Sequence, residues 1–538
     1  MKNWKRIAAL LLTLCIALGV MSGCAEQKKD SKTLRVSLPA GVNTLDPAMV
    51  TTDTERTVVS HLYENLMKLT NDGGDAAVTN GVARAYQCED NLDGTQTYTF
   101  TLRENVRWSD GQPLVAGDFV YAWQRLVDPD TGSPNASLLN MVAGYDRARS
   151  YGDGTELQVS APDDHTLVVN LSHRCPYFLS KICTAAATMP VRSDVSGKDS
   201  WATAIETLRT NGAYAMTAWQ EDGTITAAMP ETYYDAKRID FDKLEFRFHD
   251  SIETAEKWMK DGDVDFILGT YKDTVDEKDK DWIANCYPEV GMLVVNQMAG
   301  SLAFEELRLA MSMVIDRNAI AAAMGRLQHC PADGLIPHGV DGSNGTEFRL
   351  ADTAPVLDNT AGHYEAVCRK AKEMLKDDVD YGTLDIRLSY AEGDTNKAVV
   401  DGMIKIWKEQ LGVNVTPVAL SESDMNAAVD RGDFAMALVT QHSSLGDADG
   451  FLKAWRSGNY AYINNNAYDL LLRISDVSSG IVARDAYLLD AERLLLESGY
   501  VMPLWFGNSV YQLDKNLSGL FNDGTGRYFF TCVVEKGK

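Results

Sequence analysis

Between residues 364 and 438 the hydrophobic positions switch repeatedly between two spacings. Val367, Ala371, Met374 and Leu375 recur at helical intervals, after which Leu384, Ile386, Leu388 and Tyr390 alternate with other residues as a half-buried strand does. Val400, Met403, Ile404, Trp407 and Leu411 form a second helical stripe, closed by Gly412 where a helix end favours a left-handed residue. Val413 and Val415 open a second strand, Ser421 is suited to cap a short helix, and Phe434, Met436 and Leu438 alternate as a third strand. The order β-α-β-α-β predicts an α/β layer. Nearer the start, Leu34, Val36 and Leu38 alternate, and Tyr98 to Leu102 do the same ahead of a turn at Gly111 to Pro113, so the first part is predicted to be richer in strand. No repeat of fixed period and no Pro-rich or Gly/Ser-rich linker separates the parts, which is what domains assembled from discontinuous segments leave behind.

The first residues follow neither spacing. Lys2, Lys5 and Arg6 precede an apolar run from Ile7 to Val20, 14 residues long. Spanning a bilayer takes roughly 20 residues, so residues 1–23 read as a cleaved secretion signal. Met21-Ser22-Gly23-Cys24 resembles the bacterial lipobox, which implies that Cys24 becomes a lipid-bearing N-terminus, with 24–32 as a polar tether. The chain is therefore expected lipid-anchored at the extracellular face of the cell membrane, or in the periplasm if the cell has an outer membrane.

Composition narrows the classes further. At 45% hydrophobic and 24% charged, the 538-residue chain has enough apolar material for two or three packed domains. A formal charge of -25 argues against nucleic acid or anionic lipid as partner, because like charges would meet. Cys88, Cys175, Cys183, Cys286, Cys330, Cys368 and Cys532 are scattered, with no CxxC pair, and behave in so large a chain mostly as small core residues. An oxidising exterior permits bridges among them, and the sequence does not choose the pairs.

Read along its length, the chain resembles the oligopeptide- and dipeptide-binding members of extracellular solute-binding family 5, the capture components of ABC importers. The resemblance starts at Leu45-Asp46-Pro47 and His61 to Leu66, with Asn65 where the family carries Gly. Its most specific block is Tyr98 to Arg103, Trp108-Ser109-Asp110-Gly111, Asp118 to Trp123 and Asp128-Pro129. Asn211 to Tyr214, Gly262 to Asp265, Arg308 to Ala310, Ile315-Asp316-Arg317, Ile336-Pro337, Asn465 to Asp469 and Pro503-Leu504-Trp505 follow in family order. The resemblance implies an α/β fold of the two-lobed periplasmic-binding-protein type with an extra small domain, closing on its ligand as a hinged trap. By analogy one lobe comprises 33–63, 191–287 and 506–538, the small domain 64–190, and the other lobe 288–505.

The same resemblance implies a peptide held between the lobes by strand-like main-chain pairing, which binds without regard to sequence, while hydrated pockets accept varied side chains. Two segments are expected to contact it, Val50, Thr51, Thr52 and Asp53 in one lobe and Thr440, Gln441, His442, Ser443 and Ser444 in the other. Oligopeptide-binding members carry an Asp that pairs with the ligand's α-ammonium; counted back from Phe451-Leu452, that place holds Ser444. A ligand-contacting Tyr is likewise replaced, by Asn135 in Ser133-Pro134-Asn135-Ala136. A buried ammonium left alone costs on the order of 3–5 kcal/mol, a hundredfold or more in affinity. Asp447, Asp449 or Asp53 is therefore expected to reach the amine by another route; otherwise the ligand has no free amino group.

Three rival readings compete with this one. An exported hydrolase would need a nucleophile and base, and neither HExxH nor GxSxG occurs. Metal chelation by His329-Cys330, His338 and His442 lacks a ligand-like spacing, and Asp261, Asp263 and Asp265 lack the rest of a calcium loop. The fold would also suit a non-peptide solute such as a metallophore, a sugar or a signalling molecule. No enzyme activity and no cofactor are expected. The expected partners are a peptide-like solute, importer permease subunits and, through the anchor, the membrane, with the chain itself a monomer.

Overall fold

The computed structural model describes residues 32–537 except 73–74, 198–199, 271–274, 276–277, 279, 326, 344–346, 352–355, 377–378 and 479–480. The leader, Cys24 and the tether as far as residue 31 lie outside the described residues.

The first half of the chain supplies β1 (Thr33–Pro39), β2 (Met67–Asp72), β3 (Asp75–Asn80), β4 (Ala83–Asp90), β5 (Gln96–Leu102), β6 (Val159–Asp163), β7 (Thr166–Leu171), β8 (Ala215–Trp219), β9 (Ile225–Ala228), β10 (Lys243–His249) and β11 (Phe266–Gly269). The second half supplies β12 (Ile283–Val295), β13 (His329–Pro331), β14 (Ile386–Ala391), β15 (Val415–Leu420), β16 (Met436–His442) and β17 (Val501–Leu513). Among the described residues eleven of these join a mixed sheet in the order β15-β14-β16-β12-β17-β11-β1-β10-β9-β8, with β13 also on β17, while β2 pairs with β3 and β4 to β7 form a sheet of their own.

The alternation read in Leu34, Val36 and Leu38 has its cause in β1, where all three are buried and β10 runs parallel alongside, Val36 opposite Phe246. That end of the sheet shares its core with the four-stranded antiparallel sheet β4-β5-β7-β6, which presents Phe100, Leu102 and Leu167 inward. The other end has cores of its own, built on Leu388, Trp407 and Met436 on one side and on Val290, Phe451 and Leu488 on the other. Among the described residues β12 and β17, 13 residues each, thread both halves: β17 pairs with β12 at Val501 to Phe506 and again at Asn508 to Tyr511, and on its other edge with β11 at Val510 to Leu513. Two lobes thus hang on a pair of crossing strands.

The β-α-β-α-β reading is realised as β14, a helix α1 (Asp394–Leu411), β15, a helix α2 (Glu422–Arg431) and β16, with β14 parallel to both neighbours. Gly412 ends α1 at φ +71, and the Ser421 hydroxyl accepts from Asp424 N (3.1 Å) to cap α2. The third strand starts later than the alternation suggested. Gly432 turns at φ +65 and Phe434 is still in the loop, packed on Tyr460 in the neighbouring core, so β16 begins at Met436. The seven cysteines from Cys88 to Cys532 are all free thiols. No helix of the described residues is long and apolar enough to cross a membrane.

Candidate functional site

The segment 46–56 owes its shape to local capping. Asp46 accepts from Ala48 N (3.0 Å) to start a tight turn and is gripped at both oxygens by Arg125 (2.9 and 2.5 Å). Thr52 then caps the helix Asp53–Leu62 in a reciprocal box with Glu55. Burial alone would raise the Glu55 carboxyl, but the N–H groups of Thr51, Thr52 and Asn43 bring it below its ordinary value. From the neighbouring loop Asn135 donates to the carbonyls of Ala48 (3.2 Å) and Val50 (2.8 Å). Asn135 is thus a brace for the 48–50 backbone, and Val50 is buried with its carbonyl already engaged.

The opposite segment is the end of β16. Along one edge β16 pairs with β12 from Met436 opposite Val295 to His442 opposite Glu289. Along its other edge β14 pairs only as far as Ser389 opposite Ala437. From Leu438 to His442 no strand of the described residues occupies that edge. It faces a cavity of about 590 Å³ walled by Thr440, Gln441, Trp455, Tyr460 and Trp505 and by the first turns of α1 and α2. Gln441 is fixed, donating to Phe451 O (3.0 Å) and accepting from Trp455 Nε1 (3.2 Å). Trp505 lies against the backbone of Gly291, where any Cβ would come within 2.0 Å of the ring.

Tyr287 connects the two segments. It stands in β12 where the ladder to β17 breaks register between Cys286 and Val290. Its ring stacks on His442 (centroids 5.0 Å apart, 27° between planes) while its hydroxyl donates to Asp53 Oδ2 (2.6 Å). Burial and the Asp53 charge hold this phenol protonated, well above its ordinary range. Asp53 also pairs with Arg56.

Past His442 the chain turns, and the acids foreseen as ligand partners divide. Ser443 is buried; Ser444 is exposed and lines an interlobe cavity of about 100 Å³ together with Val50, Asn135, Lys181 and Asp341. Asp447 does not reach this space. It is fully buried beneath the turn, and Arg484 donates to both its oxygens (2.7 and 3.3 Å). Asp449 is held by Arg484 (3.0 Å) and Lys453 (2.7 Å). Burial raises the Asp447 carboxyl despite Arg484, whereas the two cations keep Asp449 down at about 2 against the same burial. The expectation that Asp447 meets a ligand amine is corrected accordingly: a 0%-exposed carboxylate with both oxygens on a guanidinium has nothing left to offer, while Asp449 is buried at 3% exposure with Arg484 and Lys453 both on its Oδ2. Thr51 and Thr52 serve the Glu55 cap, and Cys24 lies outside the described residues.

Contacts also cross from the first half of the chain to the second. The Tyr177 hydroxyl donates to Asp449 (3.2 Å) under the Arg484 guanidinium, 5.2 Å from the ring centre, and Lys181 bonds Asp341 (2.6 Å). Sequence reasoning missed Tyr287, Trp455, Trp505, Lys181, Asp341 and Arg484. Only the two tryptophans carried any signal, as large aromatics beside the Phe451-Leu452 and Pro503-Leu504 elements. Among the described residues no group of three or more His, Cys, Asp or Glu is placed to hold a metal ion.

Comparison with known proteins agrees with this geometry. The model for bacterial extracellular solute-binding proteins, family 5 middle, matches residues 78–462. The oligopeptide-binding protein OppA of Bacillus subtilis (strain 168) is 27% identical, covering 98% of both chains. The probable deoxycholate-binding periplasmic protein YgiS of Escherichia coli (strain K12) is 29% identical over 88% of both. Among solved structures, the murein tripeptide binding protein MppA in its unliganded open form superimposes with a TM-score of 0.78 at 24% identity, covering 94% of this chain and 98% of that one.

Proposed function

The chain belongs to family 5 of the bacterial extracellular solute-binding proteins, and from that premise we propose that it captures peptides in the cleft between its lobes and passes them to an ABC importer. The observation that carries the reading is the unpaired edge of β16 from Leu438 to His442, opening on a cavity of about 590 Å³. Such an edge binds an extended peptide through main-chain hydrogen bonds whatever its side chains, and a cavity of roughly 300–1,000 Å³ is what a small ligand fills. Trp455, Tyr460 and Trp505 give side chains an apolar wall. Relatives named for oligopeptides and a tripeptide support the peptide class.

In this reading Cys24 carries the lipid that keeps the chain at the membrane, residues 33–63, 191–287 and 506–538 act as one lobe, 64–190 as the small domain and 288–505 as the other lobe. The chain works as a monomer without catalysis, docking to permease subunits. Hydrogen exchange tests it. Adding a mixed pool of tetra- and pentapeptides slows exchange of the amides from Leu438 to His442. A flat apolar solute, which the aromatic walls and the name of YgiS also suit, would protect Trp455 and Trp505 surroundings and leave those amides unchanged.

A further inference from the structure

The interlobe cavity beside Ser444 is walled by five charged side chains, and three of them are held by other partners. Arg527 donates to Asp523 (2.6 Å) and to Thr184 O (2.8 Å), all deeply buried. Arg56 is taken by Asp53, itself bonded by Tyr287. The other two hold each other: Asp341, whose carboxylate retains 33% exposure, is bonded to a single ammonium, that of Lys181, 2.6 Å away on the opposite side of the cleft.

The two partners are unequally fixed. Asp341 is anchored by its backbone, with its N–H on Gly446 O (3.3 Å) and bridges to Asp447 and Glu347, which sets the carboxylate beside the turn carrying Ser444. Lys181 reaches over on a four-carbon stem. Room for its ammonium comes from Gly446, where a Cβ would lie 3.1 Å from Nζ and 2.8 Å from Thr525. The acids under the turn are closed off by Arg484.

We propose that Asp341 receives the ammonium group of the ligand, and that Lys181 stands in for that group while the cleft is empty and leaves when ligand enters. This rests on the peptide reading above. The exchange replaces one ammonium with another, so Asp341 never loses its counter-ion, and the freed Lys181 extends its head into water. A ligand with a neutral end gains nothing from displacing Lys181 and is selected against, since it would leave a carboxylate unpaired in a closing cleft.

The test offers purified protein equal amounts of two mass-tagged pools of tetrapeptides built from Ala, Val, Phe and Ser, one with free amino termini and one N-acetylated, and reads the bound ratio by native mass spectrometry. The free pool is expected to win by about tenfold. Asp341→Asn removes the preference, and adding Ser444→Asp to that variant restores it by returning a carboxylate to the same wall; Lys181→Met keeps it. Because the ratio is read within one sample, partial loss of folded protein does not imitate the result. An acetylated pool carrying one internal Lys separates an α-ammonium from a side-chain ammonium. A preference that survives Asp341→Asn, or equal binding of both pools to the unmodified chain, overturns the assignment and leaves peptide capture standing. Binding of neither pool overturns peptide capture itself, and this assignment with it.

Discussion

Replacing Arg484 with Met would leave Asp447 buried and alone. The guanidinium supplies two hydrogen bonds to Asp447, one contact to Asp449 and one bond to Ser343 Oγ (2.8 Å). Asp449 would keep Lys453, so one carboxylate is orphaned, at 0% exposure. Removing one partner of a buried pair costs about 3–5 kcal/mol, or two to four decades in the folding constant. The cost must depend on pH in a definite direction. Burial already raises the Asp447 carboxyl, and without Arg484 it rises further, so the folded variant takes up a proton that the unfolded chain does not hold. Its stability deficit therefore narrows as pH falls. Urea unfolding followed by tryptophan fluorescence, at pH 7.5 and 5.0 for both proteins, measures the gap. A gap under about 1 kcal/mol, or one that does not narrow in acid, would mean that Asp447 is solvated and able to serve a ligand after all.

Three further outcomes follow from the geometry. Gly291→Ala forces a Cβ into Trp505, which lowers stability by about 1–3 kcal/mol and pushes the ring toward the cavity; thermal melting and a peptide titration should both register it. His61 is fully buried as a neutral ring, bonded to Thr57 O (2.8 Å) and accepting from Phe530 N (2.9 Å), and burial lowers its pKa from 6.5 to about 4. Because the folded value lies below the unfolded one, this contribution is present above pH 6.5 and is lost as pH falls to 4, about 3 kcal/mol in all, and His61→Gln should flatten the stability curve across that window. Asn135→Ala frees the carbonyl of Val50, while Ala48 O keeps the Ser133 hydroxyl (2.6 Å), and should cost about 1 kcal/mol in urea unfolding while weakening ligand binding.

The α/β layer was legible because its signals are local. A stripe from Val400 to Leu411, a glycine at the point of reversal and Ser421 ahead of α2 each act within a few residues, and all appear in the structure. The family motifs also proved to be scaffold. Trp108 Nε1 donates to Asp118 (3.0 Å), Trp123 Nε1 to Thr188 O (2.8 Å), and Asp46 is clamped by Arg125. They locate the cleft by holding its walls and leave its chemistry unstated. That chemistry depends on pairs far apart in the chain: Asp447 with Arg484, Tyr287 with Asp53, Lys181 with Asp341, separated by 37, 234 and 160 positions. No spacing rule reaches so far: nearness to Ser444 in sequence makes Asp447 look ligand-facing, whereas Arg484 turns it inward.

The most direct test of peptide capture is native mass spectrometry of the purified chain beginning after Cys24, before and after mild unfolding releases what it carries. Release of short peptides, in a ladder of lengths, is the predicted result. A single non-peptide mass, or no ligand followed by no binding from a peptide library, would contradict the account.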